Sequence, residues 1–276
     1  EIVMNRIGRI EKKFLDLKKI NKKALITFVT AGDPEYSTSL EIIKRLPNAG
    51  ADIIEIGMPF TDPMADGPGI QASYLRAISS GQNLVKTMRL VKEFRLNNID
   101  TPIVLMGYYN PIYCYGVKKF LEDSKNIGID GLIVVDLPPE VDNELCIPAK
   151  NYGIDFIRLA TPTSNEKRLI KILQNSSGFL YYVSVAGITG SKTPKLDDIK
   201  EKVALIKKKS NISVAVGFGI RTTGQVKSIA NISDGVVVGS AIIDKIEEGI
   251  KISGKGSVIV DNTINLVERL SKALKI

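Results

Sequence analysis

Asp52-Ile-Ile-Glu55-Ile-Gly57-Met-Pro59-Phe60-Thr-Asp62-Pro63-Met-Ala-Asp66-Gly67-Pro68 begins as a short apolar run and breaks into a loop crowded with Pro, Gly and Asp. A near-continuous apolar run bounded by turn formers reads as a strand buried on both faces. Seven other runs share this character: Ala24–Thr30, Pro102–Gly107, Gly131–Asp136, Asp155–Ala160, Phe179–Ser184, Val214–Gly217 and Gly235–Gly239. Between them lie amphipathic stretches, Ser37–Ala49, Leu84–Asn97, Val117–Asn126, Asn165–Gln174, Leu196–Lys209 and Thr222–Ala230. Ser37, Asn165 and Thr222 are placed as their N-caps. Eight such alternations predict parallel βαβ units. The unit count, and the lack of a G-x-G-x-x-G opening the first helix, favour an α/β fold of the (β/α)8 TIM-barrel type over an open doubly wound sheet. An extra N-terminal helix, Arg6–Lys19, precedes the ring, and Thr263–Leu274 closes it. With no linker or low-complexity tract, residues 1–276 are expected to form one domain.

Composition removes several classes of function. The 276 residues are 44% hydrophobic and 25% charged, which excludes a disordered chain. No apolar run reaches the ~18 residues of a membrane helix, and Glu1 to Lys23 lack the apolar core of a signal peptide. Histidine is absent, so the usual neutral-pH acid/base and the commonest metal ligand are both missing. The two cysteines, Cys114 and Cys146, have no metal-type spacing, and no metal site is expected. The net charge of +8 raises nucleic acid as a partner. Yet 28 Lys outnumber 10 Arg, and the denser groups, Lys18-Lys19 with Lys22-Lys23 and Lys207-Lys208-Lys209, fall at helix ends, where cations suit the dipole. Catalysis in this chain therefore rests on carboxylates, Tyr, Lys or backbone dipoles.

In a barrel the chemistry gathers in the loops after the strands. Glu55 lies within an apolar strand, where its side chain points into the barrel or into the helix layer. A buried carboxylate is costly unless it is paired, neutralised or used. Pairing with an interior Lys or Arg is the plain alternative, weakened by the few basic residues on the strands. Asp66 follows about ten residues later in a constrained loop, and could equally serve only a turn. Together the two form a candidate acid/base pair. Three later loops carry glycines: Ser184–Gly190, Gly217-Phe218-Gly219-Ile220, and Gly239-Ser240 at a helix start. Such loops let backbone N–H groups approach an anion, and barrels often hold phosphate there, though tight turns alone would also need Gly. Phe28, Tyr108, Tyr109 and Tyr181 sit at strand ends and suit a flat apolar substrate.

These stretches resemble the tryptophan synthase alpha-subunit family. The likeness is carried by Ile54 to Pro68 with Ile70-Gln71, by Gly178 to Ser184 with Gly187-Ile-Thr189-Gly190, and by Gly217-Phe218-Gly219-Ile220. Tyr108-Tyr109-Asn110-Pro111-Ile112 and Asp136-Leu-Pro138 fit as well. The resemblance implies a lyase of tryptophan biosynthesis that cleaves indole-3-glycerol phosphate, by a retro-aldol reaction, to indole and glyceraldehyde 3-phosphate. By similarity Glu55 is the proton shuttle, and Asp66 accepts the indole N–H. Phe28, Ile70, Tyr108, Tyr181 and Thr189 contact substrate, the last from a closing loop. Gly190, Gly219, Gly239 and Ser240 hold the phosphate. The family partners with a beta subunit in an alpha2beta2 heterotetramer, with Pro59 and Asp62 as interface candidates. Pyridoxal phosphate (PLP) belongs to that partner, so no cofactor is expected in this chain. The implied compartment is the cytoplasm, or alternatively a plastid stroma. Val185 and Gly69 depart from the family, where Arg and Thr or Val are common. A stand-alone indole-3-glycerol phosphate lyase shares these motifs and stays open as an alternative, and a non-catalytic phosphate-binding barrel is disfavoured by the presence of both carboxylates.

Overall fold

The computed structural model describes residues 7–184, 195–217 and 219–274. Nine parallel strands follow in chain order: β1 (Ala24–Thr30), β2 (Ile53–Gly57), β3 (Ile103–Gly107), β4 (Gly131–Val134), β5 (Asp155–Phe156), β6 (Arg158–Ala160), β7 (Phe179–Val183), β8 (Ser213–Gly217) and β9 (Gly235–Val238). Their order in the sheet is β5-β4-β3-β2-β1-β9-β8-β7-β6. The two ends of that order, β5 and β6, flank Ile157 within the single run expected at 155–160. One segment therefore pairs with β4 on one side and β7 on the other, and brings the sheet round into a TIM barrel. The expectation of eight strands holds except for this division.

Alternation along the strands separates two cores. Ala24, Ile26, Ile53, Val104, Ile133, Ile157, Phe179, Ala215 and Val237 point inward and meet in the barrel. Neighbours such as Leu25, Ile54, Leu105 and Val236 point outward into the helix layer. The helix Arg9–Lys19 puts Ile10, Phe14 and Leu17 on one face, at the helical repeat, and seals the barrel floor with them. Phe14 meets Phe179 with ring centroids 5.8 Å apart. Arg9 and Arg95 grip opposite oxygens of Asp130 at 2.8 and 2.7 Å, which ties the helix to the underside.

Some boundaries move. Ser37 does not cap its helix, which starts at Tyr36 behind Glu35; the Ser37 and Thr38 hydroxyls donate instead to the Glu35 carboxylate. Asn165 and Thr222 do cap, and Thr222 forms a reciprocal box with Gln225. The closing helix begins at Gly256, seven residues ahead of the expected Thr263. The loop after β2 runs straight into an unexpected helix, Pro68–Ser79, in which Pro sits at the first position where its missing N–H costs nothing. No helix among the described residues is long and apolar enough to cross a membrane.

Candidate active site

Period-two alternation fixes where Glu55 goes. Ile53 belongs to the interior floor, so Glu55, two residues on, faces the same way, one layer higher. Its side chain is 0% exposed, and neither carboxylate oxygen has a hydrogen-bond partner among the described residues. No Lys or Arg pairs with it there, so the interior ion pair left open by the sequence is not what surrounds it. Burial alone pushes its pKa up to about 8, which leaves the group largely protonated at neutral pH.

Above Glu55 opens a cavity of about 370 Å³ at the C-terminal ends of the strands. Phe28, Glu55, Asp66, Ile70 and Tyr181 line it together with Gly219, Gly239 and Ser240. Two glycines make room, by their lack of a side chain, for rings that line this space. A Cβ on Gly57 would lie 2.6 Å from the Phe28 ring, and one on Gly217 would lie 2.3 Å from the Tyr181 hydroxyl. Ser240 is the first residue of the helix Ser240–Ile252, whose N-terminus therefore opens on the cavity beside Gly239. Free backbone N–H groups and the dipole make that end receptive to an anion.

Asp66 is half-buried, and burial raises its pKa above the usual carboxylate value. Its Oδ2 accepts a 2.7 Å hydrogen bond from the Tyr108 hydroxyl, which opposes that rise. Tyr108 itself does not form the cavity wall. It is 1% exposed, stacks against Phe60 at 5.5 Å, and accepts from the Ala65 N–H at 3.0 Å. Tyr109 is likewise away from the cavity, opening the helix Tyr109–Tyr115 and donating to Glu144.

Pro59 is half-buried in the loop after β2, whereas Asp62 is exposed there and accepts from the neighbouring Thr61 hydroxyl. Thr189 and Gly190, together with Val185, lie outside the described residues. Met106, Val183, Ile220 and Val237 also line the cavity and were not singled out from the sequence. Their signal was available in part: Met106 and Val183 follow inward-facing Val104 and Phe179 at even spacing. No group of three His, Cys, Asp or Glu among the described residues could hold a metal ion. The cavity therefore sets a neutral acid and a carboxylate about an apolar space that a helix N-terminus and glycine backbone also border.

The wider likenesses agree with this geometry. The family model for the tryptophan synthase alpha chain matches residues 14–275. The subunit alpha structure from Legionella pneumophila str. Paris is 35% identical, with a TM-score of 0.89, covering 97% of this chain and 98% of that one. A structure from Aquifex aeolicus VF5 is 38% identical, with a TM-score of 0.87, covering 98% and 100%. The aminoacrylate-bound tryptophan synthase of M. tuberculosis is 30% identical, with a TM-score of 0.86, covering 98% and 100%. By family match, shared fold and identity over nearly the whole length, the chain belongs to the tryptophan synthase alpha chain family, a lyase family of tryptophan biosynthesis.

Proposed function

We propose that this chain, acting as one barrel domain over residues 1–276, cleaves indole-3-glycerol phosphate to indole and glyceraldehyde 3-phosphate. The observation that carries this reading is Glu55, fully buried, without a hydrogen-bond partner among the described residues and facing the same apolar cavity as Asp66. The reaction needs a proton delivered to indole C3 and another removed from the adjacent side-chain hydroxyl. Glu55, neutral near pH 7, gives its proton to C3. Positive charge then spreads to the ring nitrogen, and Asp66 stabilises it by accepting the N–H. The Glu55 carboxylate next takes the hydroxyl proton as the C–C bond breaks. The bond pair returns to the indole ring, the hydroxyl carbon becomes the aldehyde, and Glu55 ends protonated as it began.

Gly219, Gly239, Ser240 and the N-terminus of the helix behind them take the phosphate, joined by Gly190. Phe28, Ile70 and Tyr181 pack the indole and glycerol, and Thr189 contacts substrate from the loop that follows β7. Released indole passes to a beta subunit, which holds the PLP, in an alpha2beta2 assembly contacted through Pro59 and Asp62. An indole-release assay, with and without a beta subunit, tests the whole reading. Slow release by the isolated chain, strongly raised by the partner, supports it. Fast release alone points to a stand-alone lyase, and release by Glu55→Gln at the parent rate overturns the proton-shuttle role.

A further inference from the structure

We infer that Tyr108 is a positioning residue for Asp66: its hydroxyl, fixed by the Ala65 N–H, holds the Asp66 carboxylate oriented toward the cavity as a charged acceptor. This rests on the role proposed for Asp66 above.

The geometry is directional. The Ala65 N–H donates to the phenol oxygen at 3.0 Å, which leaves the single O–H free to point one way, to Asp66 Oδ2 at 2.7 Å. The residues joined are 42 and 43 positions apart, so this contact sews the loop after β2 to the end of β3. Asp66 needs such help. Its loop is short of regular structure until Pro68, and among the described residues it takes part in no ion pair. The other groups facing its charge are also phenols, Tyr74 on the helix Pro68–Ser79 and Tyr181 on β7, with Glu55 near Tyr181. None is a cation. Among the described residues Tyr108 is thus the side chain that donates to the Asp66 carboxylate, and burial together with Asp66 keeps its own proton in place across the working pH range. Its absence from the cavity wall separates this role from substrate contact.

Hydrogen bonds to charged groups carry more than neutral ones, so losing this one should cost roughly tenfold in turnover or more. The test compares Tyr108→Phe, Asp66→Asn and the parent chain with a beta subunit, measuring kcat, KM and the acid limb of the pH–rate profile. Tyr108→Phe keeps the ring against Phe60. It is expected to lower kcat about tenfold, change KM little and move the acid limb upward by about one pH unit. A loss of packing alone would not move that limb. Replacement of Tyr108 by 3-fluorotyrosine, nearly isosteric and a stronger donor, should move the limb down, and it remains informative if Tyr108→Phe folds poorly. An inactive Asp66→Asn beside a Tyr108→Phe whose limb is unmoved overturns the positioning role and leaves the catalytic reading standing. A fully active Asp66→Asn overturns the reading of Asp66 itself.

Discussion

Phe14, on the helix that precedes the first strand, packs against Phe179 at the base of β7, and on the same strand, two residues above Phe179, stands Tyr181 in the cavity wall. The barrel floor and the candidate site are thus built on alternate residues of one strand. Phe14→Ala removes a ring that is 8% exposed and leaves a void beneath the site. A loss of about 3 kcal/mol or more is expected, read as a lower urea midpoint with an unchanged slope.

Glu55 contributes to the pH dependence of both activity and stability. Turnover should fall above about pH 8, where the buried carboxyl loses the proton it must donate. On the acid side it should fall where Asp66 gains a proton, at a pH above the ordinary 3.8 because burial raises that group. The full kcat/KM profile against pH checks both limbs, and a rate that stays flat to pH 10 contradicts the role of Glu55.

The stability effect runs in a definite direction. Between 4.5, the ordinary value, and about 8, the unfolded chain has released the Glu55 proton and the folded chain has not. The native state then binds more protons, so the contribution of Glu55 to stability is fully present below 4.5 and is lost as pH rises through 8, by about 1.4 kcal/mol per pH unit at most. Glu55→Gln is neutral at every pH and escapes this decline. Melting curves should show it more stable than the parent at pH 7.5 and no more stable at pH 4.5.

Gly57→Ala should narrow the cavity, because its new methyl falls 2.6 Å from the Phe28 ring and 3.1 Å from Tyr74. A Phe28 ring displaced toward the cavity takes up space the substrate needs. Strain of one to a few kcal/mol predicts a KM raised roughly tenfold. Steady-state kinetics with the folded variant decide it, and an unchanged KM would mean that Phe28 moves away from the cavity instead.

Thr222→Ala removes a cap whose hydroxyl accepts from Gln225 N at 3.3 Å while the Gln225 side chain accepts from Thr222 N at 3.1 Å. The helix Thr223–Ala230 lies just beyond the glycine loop at 217–219. A destabilisation of about 1 kcal/mol is expected in chemical denaturation, with little change in turnover.

Much of this was written in local spacing. Eight apolar runs and their intervening amphipathic stretches specify a barrel, because period and length alone tell strand from helix. Asn165 and Thr222 announce their helices by residue type, and a Glu within Ile-Ile-Glu-Ile stands out by cost. Other features depend on which elements meet. Glu55 faces inward because Ile53 belongs to a floor sealed by Ile10, Phe14 and Leu17, some forty residues earlier in the chain. Ile157 divides one expected strand into two because that segment alone joins both edges of the sheet. Tyr108 ends a strand in sequence, where it reads as cavity lining. In the fold it lies behind Asp66, since the phenol gains two hydrogen bonds there and its ring is buried against Phe60. Spacing along the chain sets which residues share a face, whereas closure of the ring sets which face is inside and which distant side chains come within bonding distance.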